Sequence, residues 1–142
     1  MKTLIAFLIA FSISAANAQL TTPDTISTSK GNVIVQPIFH AALVLQWNDK
    51  SIYIDPYNGA DAYKTLQKPD LILITDIHGD HMDIKTLQAL DLSNATLIVP
   101  QAVADKLPAE WKEKIIVLNN GNTTEQSGIS ISAIPMSNLP ND

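Results

Sequence analysis

Ile74-Thr75-Asp76-Ile77-His78-Gly79-Asp80-His81-Met82-Asp83 is the stretch on which the reading of this chain turns. It follows the continuous apolar run Leu71 to Ile74, the pattern of a buried strand. It precedes a predicted helix from Asp83 to about Leu90, with Asp83 as cap and Ile84, Leu87 and Leu90 on one buried stripe. Four potential metal ligands, Asp76, His78, Asp80 and His81, are packed between those two elements, and Gly79 is expected to supply a sharp turn. Open α/β sheets place ligands there, beyond the carboxyl ends of their strands. Carboxylate oxygen and imidazole nitrogen suit zinc, manganese or iron. The whole chain has only three histidines, and two of them lie in this loop. Histidines used for packing would be scattered.

Working outward, Val33 to Ile38 and Ala41 to Trp47 read as strands, with Pro37 marking an edge or bend. Asn48-Asp49-Lys50 turns the chain into Ser51 to Ile54, so the opening reads as an antiparallel meander. After the helix, Ala95 to Val99 is a strand and Gln101 to Leu107 a short helix stopped by Pro108. Ile115 to Leu118 and Ile129 to Ile134 close the pattern across a polar segment holding Gly121 and Gly128. Strands that pair locally and then alternate with helices predict an α/β fold, a mixed sheet with helices on one face.

The N-terminus reads as an address. Lys2, the apolar run Leu4 to Ile13 and Ala16-Asn17-Ala18 fit a signal peptide over residues 1–18, giving a periplasmic or secreted protein without a stable membrane anchor. Residues 19–30, rich in Thr and Ser, are expected to be a flexible lead-in to a domain over 31–142. There are no cysteines, which excludes disulfides, thiolate ligands and a lipoprotein anchor. Without Lys2, eight basic residues face fourteen acidic ones, a net charge of −6. No basic stripe is available to neutralise phosphates, so a small-molecule substrate is expected rather than a nucleic acid.

The decisive loop resembles the His-x-His-x-Asp-His signature of the metallo-β-lactamase superfamily. Phe39-His40-Ala41, Ile52-Tyr53-Ile54-Asp55-Pro56 and Lys68-Pro69-Asp70-Leu71 onward are similar to a branch containing ascorbate-phosphate lactonase-like and N-acyl-phosphatidylethanolamine phospholipase-like proteins. The resemblance spans most of residues 33 to 134 and implies the N-terminal half of an αβ/βα sandwich. It implies that His78 serves one metal, and Asp80 with His81 a second, with one or two Zn2+ or alternatively Mn2+ or Fe2+. Asp76 stands where the family has its first histidine; a carboxylate still ligates but changes the charge and hardness of the site. It also implies a hydrolase that uses a metal-bound hydroxide on an ester, lactone, amide or phosphodiester, with Asp80 holding the nucleophile.

Two residues carry alternative readings. Asp55 either orients a metal-bound histidine or is a turn residue before Pro56. His40 either faces the substrate and donates to a leaving group, or is a half-buried strand histidine. The tryptophans and tyrosines read as core or rim packing. The family's remaining ligands come from its C-terminal half, and no histidine follows His81. The chain is therefore expected to be a fragment, needing a missing C-terminal half or a second chain and inactive alone. The alternative is a secreted, non-catalytic metal-binding module.

Overall fold

The computed structural model describes residues 20–135. The expected signal at 1–18 and the stretch 136–142 lie outside the described residues. A seven-stranded sheet runs in chain order: β1 (Asp24–Thr28), β2 (Gly31–Phe39), β3 (Ala42–Trp47), β4 (Lys50–Ile54), β5 (Leu71–Leu73), β6 (Thr96–Val99) and β7 (Ile115–Val117). The first three pairings are antiparallel and the last three parallel. Loop length explains the change. Strands β1 to β4 are joined by two-residue turns, and Asn48 and Asp49 both take positive φ (46° and 59°), as a type I′ hairpin requires. Parallel neighbours need crossovers. A 3-10 turn (Ala60–Tyr63) fills the first, helix α1 (Ile84–Ala89) the second, and helix α2 (Gln101–Ala104) with a 3-10 turn (Ala109–Lys114) the third. No helix among the described residues is long and apolar enough to cross a membrane.

Strand alternation sorts the apolar residues onto two faces. Val44, Tyr53, Ile72, Leu97 and Val99 point to the helix side, where Leu87 of α1, Val103 of α2, Tyr63 and Leu107 cover them. Ile52, Leu71 and Ile98 point to the other side, together with Leu45, Ile54, Leu73 and Ile116. There the cover is a two-stranded hairpin, β8 (Thr123–Gln126) and β9 (Ile129–Ser132), which packs Ile129 and Ile131 against the sheet. The mixed sheet with helices on one face is thus the observed architecture. Beside the hairpin an apolar groove of about 360 Å³ stays open, lined by Leu73, Ile98, Leu118, Ile131 and Ile134.

Two segments differ from the sequence reading. Residues 24–28, expected within a flexible lead-in, form β1, pairing Asp24 with Val35 through Thr28 with Gly31. All five are exposed, so this strand is held by backbone hydrogen bonds and leaves no apolar pattern. β8 is polar throughout, so it too leaves no apolar pattern in the segment before β9. The bend expected at Pro37 is a shift of register between Pro37 and Phe39.

Candidate metal centre

Strands β4 and β5 end side by side, and the site is built where they stop. The Asp55 amide donates to the Leu73 carbonyl (2.9 Å), after which the backbone takes φ 45° and turns away. Such a left-handed conformation is uncommon for a residue with a side chain and marks a position held by its surroundings. The carboxylate is 2% exposed. Burying that charge would be costly without partners, and it has several. Oδ1 accepts the Thr75 amide (2.7 Å), and Oδ2 accepts the Thr75 hydroxyl (2.7 Å) and lies 2.9 Å from His81 Nδ1.

This bond sets the chemistry of His81. A carboxylate acceptor places the proton on Nδ1 and leaves Nε2 with its lone pair outward in the neutral ring, the state in which imidazole ligates a metal. Nε2 faces the Asp80 carboxylate at 3.8 Å. Partial burial pulls the His81 pKa down, but the hydrogen bond and charge of Asp55, with Asp80 and Asp76 beyond, prevail and hold it above the usual histidine value.

Asp76 and His78 form a second carboxylate–imidazole couple. Asp76 Oδ2 lies 2.6 Å from His78 Nδ1, while Oδ1 accepts the Ile77 amide at 2.6 Å. The hydrogen bond from His78 lowers the Asp76 pKa, helped by the Ile77 amide and the charges of both histidines. The His78 ring is largely exposed, and its Nε2 is not used in this pair. The turn itself closes through His81 and Met82 amides donating to the His78 carbonyl (3.0 and 2.8 Å). Gly79 is not the source of the sharp turn expected of it: its φ is not positive, and a β-carbon there would meet nothing within 4 Å. Asp83 caps α1 as expected, accepting from the Lys85 and Thr86 amides.

The site therefore sets His81 against Asp55 on one nitrogen and, at 3.8 Å, against Asp80 on the other, and pairs Asp76 with His78. Among the described residues, no three such side chains converge as a ready metal cage. In kind, the donors fit a zinc-class cation: imidazole nitrogens turned outward beside carboxylates. In number they supply part of a coordination shell, since catalytic zinc takes three protein ligands and a water. His40 is exposed in the two-residue turn between β2 and β3 at φ 51°, not half-buried on a strand. Thr75 was missed as a site residue; its hydroxyl lies 3.1 Å from His81 Nδ1 and bridges that ring to Asp55. The only signal was its place between strand and histidine loop.

A model of the β-lactamase superfamily domain matches residues 35–141. A protein described as a metal-dependent hydrolase, from Methanopyrus kandleri, is 29% identical over 100 residues, covering 68% of this chain and 43% of its own length. Another from Geobacillus sp. is 39% identical over 72 residues, 48% of this chain and 31% of its own. The crystal structure of a protein described as a metal-dependent hydrolase, from Parabacteroides distasonis, superposes with a TM-score of 0.72 at 33% identity, covering 84% of this chain and 53% of that one. Igni18, a metallo hydrolase from Ignicoccus hospitalis, shares the fold at a TM-score of 0.61 and 22% identity, over 78% of this chain and 51% of that one. The chain spans less than half the length of those curated relatives and about half that of the two solved structures.

Proposed function

Because the chain belongs to the β-lactamase superfamily, we propose that the whole protein is a metal-dependent hydrolase of esters, lactones, amides or phosphodiesters. The observation that carries this reading is the Asp55–His81 couple, a buried carboxylate fixing one imidazole nitrogen and leaving the other to a cation. His81 and Asp80 would hold one ion, His78 and Asp76 another. Zinc suits these donors, with manganese or iron(II) as alternatives. The cation supplies Lewis acidity, activating water at neutral pH and polarising the bond to be cleaved. Asp80 orients the attacking water by accepting its hydrogen bond. His40, at the neighbouring turn, donates a proton from its ring to the leaving group.

Four donors split between two ions are too few, so further ligands come from additional chain: a C-terminal half or a second copy. The open apolar groove beside β9 and the greater length of the relatives support this. Residues 19–142 alone should bind zinc weakly and turn nothing over. We also infer export to the periplasm or beyond from Lys2, the apolar run and Ala16-Asn17-Ala18. N-terminal sequencing of exported protein should begin at Gln19, and an intact Met1 would refute it.

The hydrolase reading is tested by metal analysis and generic lactone and phosphodiester assays on protein expressed from the whole reading frame. Metal-dependent turnover supports it. Metal bound without turnover favours a non-catalytic metal-binding module, the reading suggested by Asp76 in place of a histidine.

A further inference from the structure

Beyond the metal-ligating residues, the same end of the sheet carries an aromatic group that the core does not use. Phe39 ends β2 and stacks on Tyr57, with ring centroids 5.9 Å apart and planes 14° from parallel. His40 meets both rings edge-on, at 4.3 and 5.6 Å. Among the described residues, neither Phe39 nor Tyr57 joins either apolar layer of the sheet, and Phe39 is 47% exposed. An exposed, stacked phenylalanine adds little to folding, because much of its surface stays in water.

Topology places this group beside the site. Ala42 pairs with Phe39 and Leu43 with Ile54, so the β2–β3 turn lies next to the end of β4, from which Asp55 and then Tyr57 emerge. The backbone beneath is held firmly. The Tyr63 hydroxyl accepts from the Tyr57 amide and donates to its carbonyl, both at 2.9 Å, and the Gly59 amide donates to the Thr86 hydroxyl at 2.7 Å. Asp55, outside any hairpin turn, takes φ 45° at this end of the sheet, a costly conformation for a residue with a side chain. Strain of this kind clusters at ligand-binding sites.

We propose that Phe39 and Tyr57, edged by His40, form an aromatic shelf that selects substrates carrying a flat apolar group next to the scissile bond. The shelf would take a phenyl or similar ring by offset stacking while the bond to be cut lies toward His81. The inference rests on the hydrolase reading for its biological meaning, though not for its test.

The test uses protein expressed from the whole reading frame and loaded with zinc. Phenylacetate and acetate serve as paired ligands, followed by shifts of the aromatic ring protons; methyl phenylacetate and methyl acetate serve as paired substrates. Phenylacetate should bind roughly tenfold more tightly than acetate, the scale of a good ring stack. Phe39→Ala and Tyr57→Ala should each remove most of that preference, and Phe39→Tyr should keep it. Equal binding of the two carboxylates, or a preference that survives both alanine variants, overturns the shelf. A Phe39-dependent preference without turnover of either ester supports the shelf and counts against the hydrolase reading. Turnover of both esters with the same kcat/KM, in the wild type and in Phe39→Ala, overturns the shelf alone.

Discussion

The parallel pair β4–β5 is closed at both ends by an aspartate, and the two aspartates are used differently. At the start, Asp70 precedes β5 and reaches across to β4, accepting the Ser51 amide (2.9 Å) and the Lys50 ammonium (3.0 Å). At the finish, Asp55 follows β4 and reaches across to the end of β5, accepting the Thr75 amide and hydroxyl and holding His81. Asp70 ties the start of β5 to the start of β4, and Asp55 ties the end of β4 to the chain just past β5. Asp70 then spends its remaining oxygen on a partly exposed lysine, a pair that does nothing beyond the clasp. Asp55 is buried and holds an imidazole whose other nitrogen faces the Asp80 carboxylate at 3.8 Å. The same local clasp meets a lysine at one end and the histidine of the candidate metal loop at the other.

Removing those partners should separate the ends most strongly. His81→Ala and His78→Ala should each abolish tight metal binding and nearly all hydrolysis, since a zinc shell does not tolerate a lost ligand. Lys50→Ala should leave metal content untouched and cost about 0–1 kcal/mol of stability. Metal analysis and urea denaturation of purified variants check both. Unchanged metal content in both histidine variants would reduce the decisive stretch to a loop.

Next in size is truncation of the aspartates themselves. Asp55→Ala removes a buried carboxylate that accepts from the Thr75 amide and hydroxyl, and should cost about 1–3 kcal/mol. Asp70→Ala, nearer solvent, should cost about 1 kcal/mol. Urea midpoints measure the difference, and equal losses would mean that burial of Asp55 has no energetic consequence.

Asp76 sharpens the chemistry of the finishing end. If it ligates, Asp76→Ala should weaken one metal by roughly 10- to 100-fold and leave the other bound, and Asp76→His should shift metal preference. Zinc and manganese titrations read this directly. Unaltered affinity in Asp76→Ala would leave Asp76 as a partner of the Ile77 amide and His78 only.

The smallest effect is expected at Thr75. Thr75→Val keeps the amide that Asp55 needs and loses the hydroxyl between Asp55 and His81, which should cost about 1 kcal/mol. A thermal melt measures it; a loss as large as that of Asp55→Ala would make the hydroxyl the main clasp.

What the sequence reveals here follows its physics. Leu71 to Leu73 and the apolar runs of β3 and β4 were legible because burial in a sheet covered on both faces imposes consecutive apolar residues. The Asp83 cap and the ligand-rich loop were legible because both are local in the chain. Asp55 was only half legible: a carboxylate at a strand end serves equally as a turn residue, and its bond to His81 spans 26 residues. β1 and β8 could not be read, because backbone pairing alone leaves no mark on polar side chains. The Phe39–Tyr57 stack could not be read either, since strand register rather than spacing brings those rings together.

The most direct test of the account is zinc calorimetry on the whole-reading-frame protein, comparing wild type, Asp55→Asn and Asp70→Asn. Both substitutions keep size and remove charge, one at each end of the same strand pair. The account predicts that Asp55→Asn weakens zinc binding roughly 10- to 100-fold, through loss of the carboxylate that orients His81, while Asp70→Asn leaves it unchanged. Equal zinc affinity in all three proteins would contradict it.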